Sequence, residues 1–359
     1  EAASSTAAES AREGIALRYH APMRVEVLTH ESKLLADNPL GDPARRDVVV
    51  MLPPSYDAAP ARRFPVVILL AGFGGNGWQL AFNRAAWQTP LPERLGAAMR
   101  AGRVQEAIVV APDCFSRYGG SQYVDSPALG RYQSYVCDEL VPFVDGALRT
   151  IARREARAVV GKSSGGYGAV VLAMQRPDVV SAVASHAGDG AFDISYLREL
   201  PHTVLALEKR GGLAAWLRWF EQQPQKGQQA FEVMSHLCCA AAWSPSATGP
   251  YGFGVGFDLP VSPVTSAIIP SVWERWLAKD PVRMVDDARL RAGLGQMRAI
   301  FLDAGIGDEY NLQLATRQLA AKLAQHRIAH THEEFDGGHF NTSYRYERSF
   351  ATVTAALES

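Results

Sequence analysis

The chain has 359 residues and a nearly balanced charge, with 36 lysine and arginine residues against 37 aspartate and glutamate residues. A net charge of −1 excludes the strongly basic composition of proteins that bind nucleic acids or anionic membranes. Hydrophobic residues make up 47% of the chain, and no apolar run approaches the ~20 residues of a membrane span, so we expect a soluble globular protein without nucleic-acid or membrane partners.

The start of the chain differs in composition from the rest. It begins at Glu1 instead of methionine and stays rich in alanine and serine up to Ser10. We predict a flexible segment over residues 1–22, left by removal of a leader or by trimming, so the protein is expected to be either cytoplasmic or exported. The four cysteines fit neither a disulfide framework nor a metal-site spacing, and we predict that they are buried thiols.

The first part of the chain predicts strands that alternate with helices. The segment 64–70 is dense in valine, isoleucine and leucine, which is typical of a strand buried on both faces of a parallel sheet. The glycine-rich loop 71–77 follows it directly and would expose backbone N–H groups at the carboxyl edge of the sheet. The other predicted elements are antiparallel entry strands at 23–29 and 47–52, a helix at 93–101 and a strand at 107–111.

A further helix is predicted from the spacing of Tyr132, Val136, Leu140 and Phe143. Because Pro142 has no N–H group to donate to the carbonyl four residues earlier, we expect the helix to kink or to end near this residue.

The segment from Ala158 to Met174 predicts a strand, a sharp turn and a helix. Gly161, Ser163 and Gly165 form the G-x-S-x-G pattern of a nucleophile elbow, in which flanking glycines let neighbouring backbone approach a serine in a strained turn. The Gly-Lys-Ser triplet also occurs in phosphate-binding loops, but that motif requires a glycine where this chain has Ala156. An ordinary glycine-rich connection is the remaining alternative.

The strand–helix alternation stops after a strand at 179–185. From residue 190 to 286 the chain carries five of its seven tryptophans and a glycine-rich loop at 249–257. We interpret this segment as a cap inserted over the carboxyl edge of the sheet. Its tryptophans would either form the core of the cap or present flat walls to a substrate.

The alternation resumes after the cap with a strand at 297–302, a helix at 311–326, a strand at 328–335 and a helix at 344–357. His339 follows the last strand, and Asp303 and Asp308 are two candidate acids after the preceding strand. The chain order serine, aspartate, histidine is that of the α/β-hydrolase fold. We therefore predict an α/β protein of that fold, with core segments at 23–189 and 287–359.

Several segments together resemble the putative-esterase family of esterase D, feruloyl esterases and enterochelin-esterase-like hydrolases. The similarity covers about residues 23–190 and 295–345. The motifs that carry it are Asn38–Pro43 with Arg46, Leu52–Tyr56, Gly161–Gly168, Asp303–Asp308 and Gly338–His339. Relatives often have a histidine before the first glycine of the 71–77 loop, where this chain has Ala71.

The resemblance implies a triad of Ser163, His339 and Asp308, because the family's acid corresponds to the second aspartate of its motif. Asp303 would then order the loop. The oxyanion hole would be formed by the backbone N–H groups of Ser164 and Phe73. No cofactor is implied, and we expect no metal, since His326, His330 and His332 lack a carboxylate at a suitable spacing.

The function expected on these grounds is hydrolysis of carboxylic esters, either short-chain or aromatic acyl esters or aryl esters, with little lipase activity. The partner would be a small ester, and the sequence is compatible with a homo-oligomer. Two alternatives remain open at this point. One is acyl transfer to an alcohol by the same triad, as in mycolyltransferase-like relatives, and the other is a non-catalytic binding protein on the same fold.

Overall fold

The fold is described from a computed structural model, which describes residues 23–83, 87–249 and 255–359. The predicted N-terminal segment 1–22 and most of the predicted glycine-rich loop 249–257 lie outside these residues. None of the helices in the described ranges is long and apolar enough to cross a lipid bilayer.

Eight strands form one sheet in the order β1-β2-β4-β3-β7-β8-β9-β10. Strands β1 and β2 are antiparallel entry strands, as the sequence predicts: β1 pairs with β2 and β2 pairs with β4 in antiparallel orientation. The five pairs from β4–β3 to β9–β10 are parallel. A separate short hairpin, β5–β6, was not predicted. The strands are β1 Arg24–Glu31, β2 Arg45–Leu52, β3 Val66–Leu70, β4 Ile108–Pro112, β5 Asp125–Ser126, β6 Gly130–Arg131, β7 Arg157–Lys162, β8 Ala182–His186, β9 Ala299–Gly305 and β10 Thr331–Phe335.

Helices cover both faces of the sheet. Successive side chains of a strand point to opposite faces, so a continuous apolar strand makes both faces apolar. In β3, Val66, Ile68 and Leu70 pack on one face, whereas Val67 and Leu69 pack on the other. The helices are α1 Gly77–Phe82, α2 Leu91–Arg100, α3 Tyr132–Ser134, α4 Val141–Ala147, α5 Ser164–Gln175, α6 Phe192–Ser195, α7 Leu200–Glu208, α8 Leu213–Gln222, α9 Gln228–Trp243, α10 Pro270–Leu277, α11 Pro281–Met284, α12 Ala288–Leu294, α13 Leu312–Gln325 and α14 Tyr346–Ala355.

The helix around Pro142 does not end there. A π-helical stretch, Tyr135–Leu140, lies between α3 and α4, and helical structure continues to Ala147. Pro142 occupies the first turn of α4, where a missing N–H group costs least. The widened π turn thus allows the helix to pass Pro142, which has no N–H group to donate.

The segment 190–286 contains six helices between β8 and β9 and packs on the same face of the sheet as α5. At its centre Trp243 stacks on Phe192 with ring centroids 4.3 Å apart and meets Trp276 edge-on at 5.0 Å. Trp216, Trp243, Trp273 and Trp276 are buried, so these four tryptophans form part of the core of the segment. Truncation of one such buried ring to alanine costs about 3–5 kcal/mol of stability.

Candidate active site

The turn between β7 and α5 holds Ser163 in a strained conformation. Its backbone has φ 56° and ψ −127°, a combination that costs a non-glycine residue on the order of 1–3 kcal/mol. The N–H group of Ser163 donates to the carbonyl of His186, and its own carbonyl accepts from Tyr167, so hydrogen bonds fix the turn from both sides. Strain that is held in this way is typical of a functional residue.

The glycines of the predicted elbow are required by the close packing around this turn. A Cβ atom on Gly161 would lie 2.1 Å from the carbonyl oxygen of Gly165. A Cβ atom on Gly165 would lie 2.2 Å from the carbonyl oxygen of Leu70 in β3. Any other residue at either position would therefore displace backbone, which explains the spacing of the motif physically.

His339 is paired with Asp308. The Nδ1 atom of His339 lies 2.8 Å from Oδ2 of Asp308, and both side chains are buried. The other carboxylate oxygen, Oδ1, accepts hydrogen bonds from the N–H groups of Tyr310 at 3.0 Å and Leu312 at 3.2 Å. These two donors fix the carboxylate, which in turn fixes the imidazole.

Asp303, the other candidate acid, lies in a separate buried network. One of its oxygens is 2.6 Å from Nδ1 of His186, and the other accepts from Nε of Arg345 at 2.8 Å. The Nε2 atom of His186 is in turn 2.8 Å from the hydroxyl of Ser349. In the structure Asp308 therefore contacts His339, whereas Asp303 contacts His186 and Arg345.

Two backbone N–H groups remain unused close to Ser163. Among the backbone hydrogen bonds found for the described part of the chain, none uses the N–H group of Phe73 or of Ser164 as a donor. Gly72 lies against the serine, because a Cβ atom on it would be 3.4 Å from Cβ of Ser163. Ser164 also opens α5, whose N-terminal partial charge of roughly +0.5 e favours an anion at this position.

A cavity of about 140 Å³ opens beside these groups. Its lining includes all the predicted site residues except the buried Asp308, which reaches it only through His339. The aromatic part of the cavity wall comes from Phe73, Tyr196, Phe231, Tyr310 and Phe340.

None of the tryptophans lines this cavity. Of the two alternatives for these tryptophans, the structure favours the core of the segment, where Trp216, Trp243, Trp273 and Trp276 are buried. The aromatic residues that this segment contributes to the cavity wall are Tyr196 and Phe231. Phe231 meets Phe73 edge-on, with ring centroids 5.0 Å apart.

The half-buried Lys162 and the buried Asp189 shape the electrostatics of the cavity. Burial lowers the pKa of Lys162, while the negative charges of Asp308 and Glu309 oppose that shift. Burial raises the pKa of Asp189, and hydrogen bonds from Tyr196 at 2.9 Å and Ser164 at 3.2 Å oppose the rise. Both groups lie in the cavity wall, so neither carries the full solvation of a surface charge.

Sequence reasoning missed Asp189 and most of the aromatic walls. Tyr310 and Phe340 could have been found, because each lies within two residues of a predicted triad member and packs edge-on against His339, at 4.9 and 5.3 Å. Phe231 and Tyr196 carry no such local signal. In the described ranges no group of three or more histidine, cysteine or acidic residues is arranged to hold a metal ion.

Comparison with known proteins connects this geometry to a family. The sequence matches the Putative esterase family over residues 43–353. A comparison with curated proteins finds no match. Among solved structures, a ferulic acid esterase superposes with a TM-score of 0.60 at 20% identity, covering 94% of this chain and 99% of that chain.

Two further structures show the same fold at lower identity. The fluorophosphonate-binding serine hydrolase F of Staphylococcus aureus has a TM-score of 0.55 at 13% identity, covering 94% of this chain and 100% of that chain. An S-formylglutathione hydrolase from Agrobacterium tumefaciens has a TM-score of 0.51 at 16% identity, covering 91% of each chain. The protein has the predicted α/β-hydrolase fold, belongs to the Putative esterase family, and is a carboxylic ester hydrolase.

Proposed function

We propose that this chain hydrolyses esters of short or aromatic carboxylic acids with Ser163 as nucleophile, His339 as general base and Asp308 as the orienting acid. The observation that carries the proposal is the strained serine in the wall of a cavity that also contains the paired His339. A non-catalytic binding protein would have no need to hold a serine at a costly backbone geometry.

In the first step, Oγ of Ser163 attacks the ester carbonyl and its proton passes to Nε2 of His339. Asp308 keeps the imidazole proton on Nδ1 before attack and stabilises the imidazolium afterwards. The carbonyl oxygen becomes an oxyanion, which the N–H groups of Phe73 and Ser164 would bind. Each such donor contributes about 3–4 kcal/mol to the transition state.

The tetrahedral intermediate then collapses. The bond to the alcohol oxygen breaks, and the alcohol leaves with the proton from Nε2 of His339, which leaves an acyl group on Ser163. A water molecule gives its proton to His339 and adds to the acyl carbon, and the second collapse returns the proton to Ser163 and releases the acid.

Cavity size supports a small acyl group. The volume of about 140 Å³ is close to the ~150 Å³ of a protein cavity that holds one benzene ring. A larger, open groove of about 820 Å³ adjoins it and shares Phe73, Lys162 and Phe340 with its lining. We place the acyl group in the aromatic cavity and the alcohol in the groove.

The ferulic acid esterase with the same fold is named for an aromatic acid, which agrees with these walls. The test is a series of 4-nitrophenyl esters from acetate to palmitate, with kcat/KM measured for each. We expect a maximum at acetate to butyrate, and comparable or higher values for benzoate. A maximum at palmitate would contradict the proposal.

Acyl transfer uses the same intermediate with an alcohol in place of water. Product analysis in the presence of a competing alcohol separates the two outcomes. We expect free acid as the main product, whereas ester as the main product would assign the chain to the acyltransferases.

A further inference from the structure

The acyl cavity has a polar end that the reaction does not use. Glu199, in the turn before α7, and Glu232 and His236, both on α9, lie in the cavity wall and belong to the segment 190–286. We call these three residues the polar end. A cavity that had only to hold a hydrocarbon or a plain aromatic ring would not need two carboxylates and an imidazole.

Among the described residues, Glu232 has a hydrogen-bond donor but no cationic partner. Its oxygen Oε1 accepts from the amide of Gln228 at 3.0 Å, and the same amide donates to the hydroxyl of Tyr310 at 3.1 Å. None of the ion pairs found in the described part of the chain includes Glu232. Glu199, by contrast, is bound to Nε of Arg198 at 2.8 Å.

His236 supplies a second and independent indication of a ligand. Its side chain is only 6% exposed, and its Nδ1 atom lies 2.6 Å from the hydroxyl of Thr203. Its Nε2 atom has no hydrogen-bond partner among the described residues, although the imidazole is part of the cavity wall. Burial and the nearby His202 lower its pKa to about 4, so it adds no positive charge near neutral pH.

The cation in the cavity wall, Lys162, already has partners of its own. Lys162 interacts electrostatically with Asp308 and Glu309, and its ammonium group lies 5.6 Å from the ring centre of Phe340. The wall therefore presents more negative than positive charge to a bound acyl group. A cationic group is favoured there, and an anionic group is repelled.

We propose that the polar end selects acyl groups that terminate in a protonated amine. The ammonium group would pair with the carboxylate of Glu232 and lie against the rings of Phe231 and Tyr310, which favour cations at their faces. One N–H of the amine would donate to Nε2 of His236, with the imidazole proton on Nδ1 donated to Thr203. This inference rests on the proposed function, because it places the acyl group in this cavity.

The test compares two methyl esters of almost identical shape, methyl 4-(aminomethyl)benzoate and methyl 4-ethylbenzoate. Each kcat/KM is divided by the rate of hydroxide-catalysed hydrolysis of the same ester, which removes their intrinsic difference in reactivity. We expect the cationic ester to be favoured about tenfold, the combined discrimination of one partly exposed charge pair and one cation–π contact. The ratio should fall as ionic strength rises, since salt screens the charges.

The Glu232→Gln variant should reduce this ratio to below about threefold, because the amide keeps the shape but loses the charge. The ratio is independent of the folded fraction, so partial misfolding does not obscure it. Glu221→Gln is the matched control: this exposed glutamate of α8 pairs with Arg117 outside the cavity and should leave the ratio unchanged.

The outcomes separate this inference from the proposed function. If wild-type protein hydrolyses neither ester nor the 4-nitrophenyl series, the proposed function fails. If it hydrolyses the neutral ester but shows no preference for the cationic one, or if Glu232→Gln keeps the preference, the inference alone is overturned. A preference for methyl 4-hydroxybenzoate over both would also overturn it and assign the polar end to a phenol.

Discussion

Replacement of Asp308 by asparagine should abolish activity without unfolding the protein. The backbone N–H groups of Tyr310 and Leu312 both donate to Oδ1 of Asp308, so the amide oxygen of asparagine must take that position. The amide nitrogen then faces Nδ1 of His339 at the site of Oδ2, 2.8 Å away. A donor there forces the imidazole proton onto Nε2, which can no longer accept the proton of Ser163.

A wrong tautomer of this kind costs about 10⁴-fold in kcat in a serine hydrolase, or about 5.5 kcal/mol. We expect a loss of that size in kcat/KM for 4-nitrophenyl acetate at pH 8. The melting temperature should change little, because the amide keeps the two backbone hydrogen bonds and the volume of the side chain.

Asp303→Asn is the matched control, since it makes the same chemical change in a neighbouring buried carboxylate. It weakens the pairing with His186 and Arg345, and breaking a buried ion pair costs about 3–5 kcal/mol of stability. This variant should therefore lose melting temperature and keep most of its activity below the transition. The reverse pattern, with Asp308→Asn active within tenfold and Asp303→Asn inactive but stable, would refute the assignment of the acid.

Two further predictions concern stability. Gly165→Ala should lower the melting temperature strongly and abolish activity, because its Cβ atom would lie 2.2 Å from the carbonyl oxygen of Leu70. The control is Gly146→Ala in α4, where no atom outside the local backbone lies within 4 Å of the added carbon. This variant should be neutral or stabilising by up to about 1 kcal/mol. The pKa of His236 is lowered to about 4 from 6.5, so the unfolded chain binds the extra proton and stability falls as pH drops from 6.5 to 4. Denaturant unfolding at pH 6.5 and at pH 4 tests this. Between the two, the free energy of unfolding should fall by about 3 kcal/mol more in the wild type than in His236→Gln. Equal decreases would contradict the burial of a neutral imidazole.

The parts of the site that local sequence patterns determine were predictable. The elbow follows from glycines spaced around Ser163 between an apolar strand and a small-residue helix, and the structure has these elements in place. His339 was identified by its position after the last strand. The choice between Asp303 and Asp308 could not be made from local pattern, because both follow β9 closely, and it needed the family resemblance.

The cavity walls could not be predicted, because they depend on contacts between residues far apart in sequence. Phe231 meets Phe73 across more than 150 positions, and neither residue marks that contact in the sequence. The sequence is equally compatible with Trp243 in the cavity wall or in the core of the segment 190–286. Its packing against Phe192 and Trp276 shows that it belongs to the core. The π-helical turn before Pro142 was missed for the same reason, since the sequence shows the conflict but not how the backbone relieves it.

The central claim is that Ser163 is the nucleophile, and covalent labelling tests it most directly. Purified protein would be treated with a fluorophosphonate, and the adduct would be quantified by intact mass and located by peptide mapping, beside the Ser163→Ala variant. We predict one adduct per chain on Ser163 and none on the variant, whose melting temperature should remain close to that of the wild type. Labelling of the folded variant to the same extent, or an adduct located on another residue, would contradict the account.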